Sequence, residues 1–278
     1  MASKIIAFGG EKYALSYEII APSADNNSNL NSREILFLHG WGANKELMQK
    51  AFAPHFADFR QIYLDLPGFG GSEIHGPLTS ADYAAIVSEF IKAAGLNPLV
   101  IAGHSFGGKV ALLLNPPILA LLSSAGIVCQ KPLAVRAKIA IFKTLKKLGF
   151  GGFYRLFATK DVAGMSRVMY ETLKNVVDED FSPKFEAFSG RALIFWGESD
   201  TATPLSSGRK IARLIKNSEF YPLGGDHFFF LSHGEFIADT IRAELSNLKT
   251  GEDNSNLNCA DFDDEDSASF CPCCGGAR

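Results

Sequence analysis

Long apolar runs are missing from this chain. No stretch of its 278 residues approaches the roughly 20 needed to cross a bilayer, which excludes a helical membrane span. An excess of positive charge is missing as well: 27 Lys and Arg stand against 30 Asp and Glu, for a net charge of −3. The strongly basic footprint of a nucleic-acid-binding protein is therefore not present. The opening MASKIIAFGG has too short an apolar run, and a lysine too early, for a secretory leader, so a cytoplasmic location is expected. Cysteine is nearly missing before residue 259, where Cys129 stands alone. Cys259, Cys271, Cys273 and Cys274 crowd the end, but their spacing lacks the paired C-x-x-C knuckles of a structural zinc site, and no metal is expected. The run GEDNSNLNCADFDDEDSASF is acidic and polar and cannot build a core, so residues 250–278 read as a disordered, Cys-containing tail.

What the chain does contain is a series of short apolar runs alternating with amphipathic ones, and its length suits one large α/β domain. EKYALSYEII alternates as a strand within an N-terminal hairpin, while EILFLHG, RQIYLDL, PLVIAG, ILALLSSAGIV, RALIFWG and SEFYPL read as further strands, several fully buried. Between them ELMQKAFAPHF, SADYAAIVSEFIKAAG (with a serine cap and a terminal glycine), GGKVALLL, LSSGRKIARLIK and GEFIADTIRAELSNL read as helices. Strands separated by helices imply a mostly parallel sheet with helices on both faces. Residues 131–188 break this alternation with Lys-, Arg- and Phe-rich helical sequence, so 1–130 and 189–249 are expected to form the core and 131–188 a helical cap.

The stretch VIAGHSFGGKVALLL places G-x-S-x-G between a strand and a helix. A serine there sits on a sharp turn above the end of the sheet, with Gly103 and Gly107 leaving room for neighbouring backbone. Ser105 also falls at a helix N-terminus, which favours developing negative charge. A serine hydroxyl needs a base to take its proton and a third group to orient that base. WGESDTATP offers Asp200 just past an apolar strand, and GGDHFFFL offers His227 in the loop after the next one. Glu198 and Asp226 are the competing carboxylates: the position before T-A-T-P favours Asp200, and a chain neighbour such as Asp226 rarely points at the adjacent imidazole. Of the remaining histidines, His39 is expected to be a hydrogen-bonded structural residue, and His104 to point off to one side of the nucleophile. Two backbone donors for an oxyanion are expected from Phe106, directly after the serine, and from Trp41 in HGWG, whose indole should line the pocket mouth.

Together HGWG, DLPGFGGS, GHSFGG, WGESDTATP and GGDHFFFL resemble the α/β-hydrolase fold superfamily, in order along nearly the whole chain up to about Lys249. The resemblance implies an eight-stranded, mostly parallel sheet with a helical cap after the sixth strand. It implies Ser105, Asp200 and His227 as the catalytic triad of a serine hydrolase without a cofactor, and a structural role for Asp65 and Ser72. Within the superfamily the chain is similar both to hydrolases that split a carbon–carbon bond in 2-hydroxy-6-oxo-dienoate meta-cleavage products and to carboxylesterases. HGWG in particular is similar to the esterases that remove the methyl group from a pimeloyl carrier-protein ester. An ester of a small or medium apolar acyl group and a dienoate both stay open as small-molecule substrates. A non-catalytic binding protein on the same fold is the reading from another class; such proteins usually lose a triad member, and here every part is present.

Between Lys131 and Lys160 there are eight Lys or Arg and no Asp or Glu, while Val135, Ile139, Phe142 and Leu145 recur at helical spacing. This basic amphipathic stretch is expected to roof the pocket, and an acidic acyl carrier is the partner it would suit. Arg167, in AGMSRVMYETL, is a further candidate, for binding a substrate carboxylate.

Overall fold

The apolar runs become strands buried almost from end to end: β3 (Glu34–Leu38), β4 (Arg60–Leu64), β5 (Val100–His104), β6 (Ile118–Leu122) and β7 (Arg191–Gly197). Continuous burial of this kind needs helices on both faces, as parallel sheets have. In the computed structural model, which describes residues 2–23, 33–128 and 165–257 (without the side chains of 248–257), these strands pair in parallel at the centre of an eight-stranded sheet. Its order is β1-β2-β4-β3-β5-β6-β7-β8. β1 (Ala2–Phe8) and β2 (Glu11–Ile20) form the expected hairpin, turning at Gly9 and Gly10, both with positive φ. β2 then meets β4 antiparallel. β8 (Ser218–Leu223) closes the other edge, only half-buried, with Pro222 where an edge tolerates it.

Helices α1 (Lys45–Phe52), α2 (Ser80–Ala93) and α3 (Phe106–Leu113) connect the early strands, α6 (Leu205–Leu214) connects β7 to β8, and α7 (Gly234–Leu257) follows β8. The strand order steps outward in both directions from β3 and β5. The loops leaving β3, β5 and β7 therefore meet at one end of the sheet, where such folds bind ligands. Residues 1–238 form one compact unit; residues 239–278 form a second, whose described part is the remainder of α7.

Three local readings change. The cap of α2 is Thr79, which exchanges hydrogen bonds with Asp82 in a capping box, so Ser80 is the first helical residue and its hydroxyl is used elsewhere. β6 stops at Leu122 instead of running through SSAGIV, because Ser123 takes a positive φ of 44° and turns the chain over the sheet edge. The last helix runs to Leu257, beyond the apolar pattern that suggested its end at Leu248. Of the expected cap, the basic stretch 131–160 lies outside the described residues, as do Cys129 and the tail from 258; the described part holds α4 (Arg167–Val176) and α5 (Ser182–Ala187).

Candidate active site

Ser105 stands between β5 and α3 with φ 50° and ψ −113°, a conformation that strains any residue with a side chain. Backbone bonds hold it there: its N–H donates to the Leu122 carbonyl (3.0 Å), and its own carbonyl accepts from Gly108 (3.1 Å) and Ala125 (3.0 Å). The glycines explain how so tight a turn can pack. A Cβ on Gly103 would collide with the Gly107 backbone, and one on Gly107 would collide with the carbonyls of Leu38 and His39. The serine hydroxyl makes no capping bond to the helix that follows and is left to the cavity above it.

Asp200 and His227 come together at the same end of the sheet. His227 Nδ1 lies 2.7 Å from Asp200 Oδ2, with the carboxylate fully buried and the imidazole 17% exposed. The second carboxylate oxygen accepts the amides of Ala202 (2.8 Å) and Thr203 (2.9 Å), an Asx turn that aims Asp200 at the histidine. Burial works to raise the Asp200 pKa, but the bonds from His227 and from the Thr203 amide and hydroxyl outweigh it and bring it down to about 2. An ionised Asp200 fixes His227 as the tautomer with a proton on Nδ1, leaving Nε2 free to act as a base. The two rival carboxylates are elsewhere: Glu198 is exposed, and Asp226 accepts the Phe228 amide at 2.8 Å.

Trp41, Ser105 and Phe106 line one cavity of about 250 Å3. Phe106 is the first residue of α3, so its amide has no acceptor within the helix. The Trp41 ring packs edge-on against Phe106 (5.6 Å) and Phe69 (5.0 Å). The Phe69 loop is in turn fixed by Asp65 and Ser72, which have the structural role expected of them. Asp65 accepts from the Lys45 ammonium (2.6 Å), the Lys45 amide (2.7 Å) and the Gly71 amide (2.9 Å), while Ser72 donates to the Asp65 carbonyl (2.7 Å). His39 is buried between the Gly40 carbonyl (2.8 Å) and the Leu66 amide (3.0 Å), a structural histidine as expected.

Arg167 stands apart from this wall. It does not line this cavity: its side chain is 90% exposed at the first position of α4, where it pairs with Glu171 at 3.1 Å. The helix turns that face to solvent and presents Leu173 and Val176 inward instead. A cation that sequence reasoning passed over does reach the wall. Lys109, on α3, is 2% exposed, and its ammonium donates to the Val176 carbonyl (2.6 Å) and to Glu179 (3.0 Å) while lying 4.4 Å over the Phe181 ring. Burial pushes its pKa down, against the pull of Glu179. The clue was a single lysine inside GGKVALLL. Thr203 was passed over too: its hydroxyl lies 2.8 Å from Asp200 Oδ2, 3.1 Å from the Ser123 carbonyl and 3.3 Å from His227 Nδ1. Among the described residues no group of three or more His, Cys, Asp or Glu side chains could hold a metal, and no helix is long and apolar enough to cross a membrane.

A sequence profile of the alpha/beta hydrolase family matches residues 35–240. The pimeloyl-[acyl-carrier protein] methyl ester esterase of Photorhabdus laumondii is 41% identical over 87 residues, 30% of this chain and 31% of the relative. The chain is thus matched over about a third of that relative's length. The enzyme of the same name from Chromobacterium violaceum is 25% identical over 248 residues, covering 78% of this chain and 94% of the relative. Among solved structures, an esterase from Exiguobacterium antarcticum shares the fold with a TM-score of 0.67 at 20% identity, over 88% of this chain and all of that one. A profile that spans most of the chain, on a sheet of this order with a serine at this turn, shows that the chain belongs to the alpha/beta hydrolase family.

Proposed function

We propose that the protein hydrolyses a carboxylic ester of a small or medium apolar acyl group through an acyl-enzyme on Ser105. The observation that carries this reading is the 2.7 Å bond from His227 to a buried, ionised Asp200, at the sheet end where Ser105 faces the cavity. In this reading Ser105 Oγ attacks the ester carbonyl as His227 Nε2 takes its proton. The Trp41 and Phe106 amides hold the resulting oxyanion, and His227 returns the proton to the departing alcohol. Water, deprotonated by the same imidazole, then attacks the acyl-enzyme and releases the carboxylic acid. Asp200 stays ionised throughout and stabilises the imidazolium.

The described wall supports an apolar acyl group. Ile127, Leu173, Val176 and Val177 line it, and Lys109 has already committed its ammonium to Val176, Glu179 and Phe181. The P. laumondii relative is named for a methyl ester carried on an acyl-carrier protein. A carrier-linked ester is accordingly the form of substrate that the basic stretch Lys131–Lys160 would suit.

The test is a panel of short, medium and long p-nitrophenyl esters, run beside a ring-cleavage dienoate, with parent and Ser105→Ala. The parent is expected to prefer an ester and to be labelled by a fluorophosphonate. Ser105→Ala is expected to lose both turnover and labelling. Retained esterase activity in that variant, or preference for the dienoate by orders of magnitude, overturns the proposal.

A further inference from the structure

We propose that His104 is a positioning residue of this site: its Nε2–H holds the main chain of His227 and so keeps the base in line with Ser105. The proposal rests on the reading of the site given above. His104 ends β5, one residue before the nucleophile, and its ring is fully buried. It does not point idly to one side. Its Nε2 lies 3.0 Å from the carbonyl oxygen of His227. A carbonyl only accepts, so Nε2 carries the proton and Nδ1 is the bare nitrogen.

That bare nitrogen is one of the few buried side-chain polar atoms with no partner among the described residues. It faces Gly40, where a β-carbon would come within 2.7 Å of it. Leaving a buried acceptor unpaired is unfavourable, so packing alone gives no reason for an imidazole here; an apolar side chain would fill the space without that cost. What an apolar side chain would lack is the donor to His227. The ring also packs on three residues of the base loop: the centroid lies 4.6 Å from the His227 ring, 5.4 Å from Phe228 and 4.8 Å from Phe230. One side chain thus borders the turn bearing Trp41, the nucleophile and the loop bearing the base.

His227 needs such a hold. It sits in the irregular segment between β8 and α7, and its own ring is fixed by Asp200 and Thr203 at Nδ1. A bond at that one atom lets the imidazole pivot, whereas a second fixed point on its main chain sets where Nε2 falls. The holder must also be uncharged, because a cation 4.6 Å away would oppose the imidazolium that forms on His227. Burial, assisted by the nearby His227, brings the His104 pKa down to about 3, so the ring donates one hydrogen bond and carries no charge.

The experiment compares His104→Leu, which removes the donor, with His104→Gln, which returns an N–H at similar reach, in the full-length chain. Two quantities are read: kcat and KM for p-nitrophenyl butyrate, with sites counted by fluorophosphonate titration, and the rate of that labelling, which needs the same base. His104→Leu is expected to lose about tenfold to a hundredfold in kcat and in labelling rate, with KM nearly unchanged. His104→Gln is expected to recover most of both. If the leucine variant does not fold, His104→Asn, whose amide is one methylene too short to reach the carbonyl, replaces it as the comparison that lacks this bond. Equal kcat per counted site with and without the donor overturns the proposal, as does a change confined to KM or to melting temperature. Turnover surviving in Ser105→Ala would instead overturn the reading of the site, a result separable from full activity in H104L.

Discussion

At the scale of single residues, Asp200 shows how much depends on one carboxylate. It accepts from His227 and from three groups of the turn after β7, and these bonds keep it ionised although it is buried. Asp200→Asn preserves the shape but presents an amide where His227 needs an acceptor, favouring the wrong tautomer. Its kcat is expected to fall by roughly three to four orders of magnitude, measured on the ester the parent prefers. The same variant reads the linkage to stability. The folded pKa of Asp200, about 2, lies below its ordinary 3.8, so the group contributes stability that is complete above about pH 4 and is lost as pH falls through about 2. The gap in unfolding free energy between parent and Asp200→Asn should therefore be constant near neutrality and narrow as pH is lowered from 4 to 2, as urea titrations at stepped pH will show.

At the scale of elements, the attachment of α4 and α5 to α3 matters most. Lys109 ties the end of α4 to the helix that begins directly after Ser105, and Ser80 donates to the same Glu179 from α2. Thr172 and Asn175 add bonds to the main chain of Leu78. Lys109→Met should leave kcat within about twofold while raising KM severalfold, because it loosens the Leu173 and Val176 wall without touching the reacting groups. A change in kcat alone would contradict this. The elements themselves were largely legible: wholly apolar runs became the central strands, and the Gly-Gly turn marked the hairpin. Three-dimensional ties were not. Nothing in TATP, in a lysine within GGKVALLL or in the serine of TSAD states which distant group each side chain will meet. The exposed face taken by Arg167 depends on how α4 is rotated against the core, and periodicity in ten residues does not fix that.

At the scale of the whole molecule, the motifs that carry the resemblance all lie at loops leaving strand ends, and the strand order brings those loops to one edge. This is why Ser105, Asp200 and His227 could be nominated from sequence although 27 residues separate the last two and about 95 the first two. The role of His104 could not be nominated, since its partner is a main-chain carbonyl and carries no side-chain signature. One further consequence follows from the backbone at Ser105, whose φ of 50° suits a residue with no side chain. Ser105→Gly should abolish turnover yet raise the unfolding free energy, by on the order of 1 kcal/mol over Ser105→Ala, as the relief of strain exceeds the added freedom of the unfolded chain. Calorimetry on the two variants measures it. Selection for heat resistance alone would then drift toward glycine at this position, and the hydroxyl persists only while chemistry is also being selected.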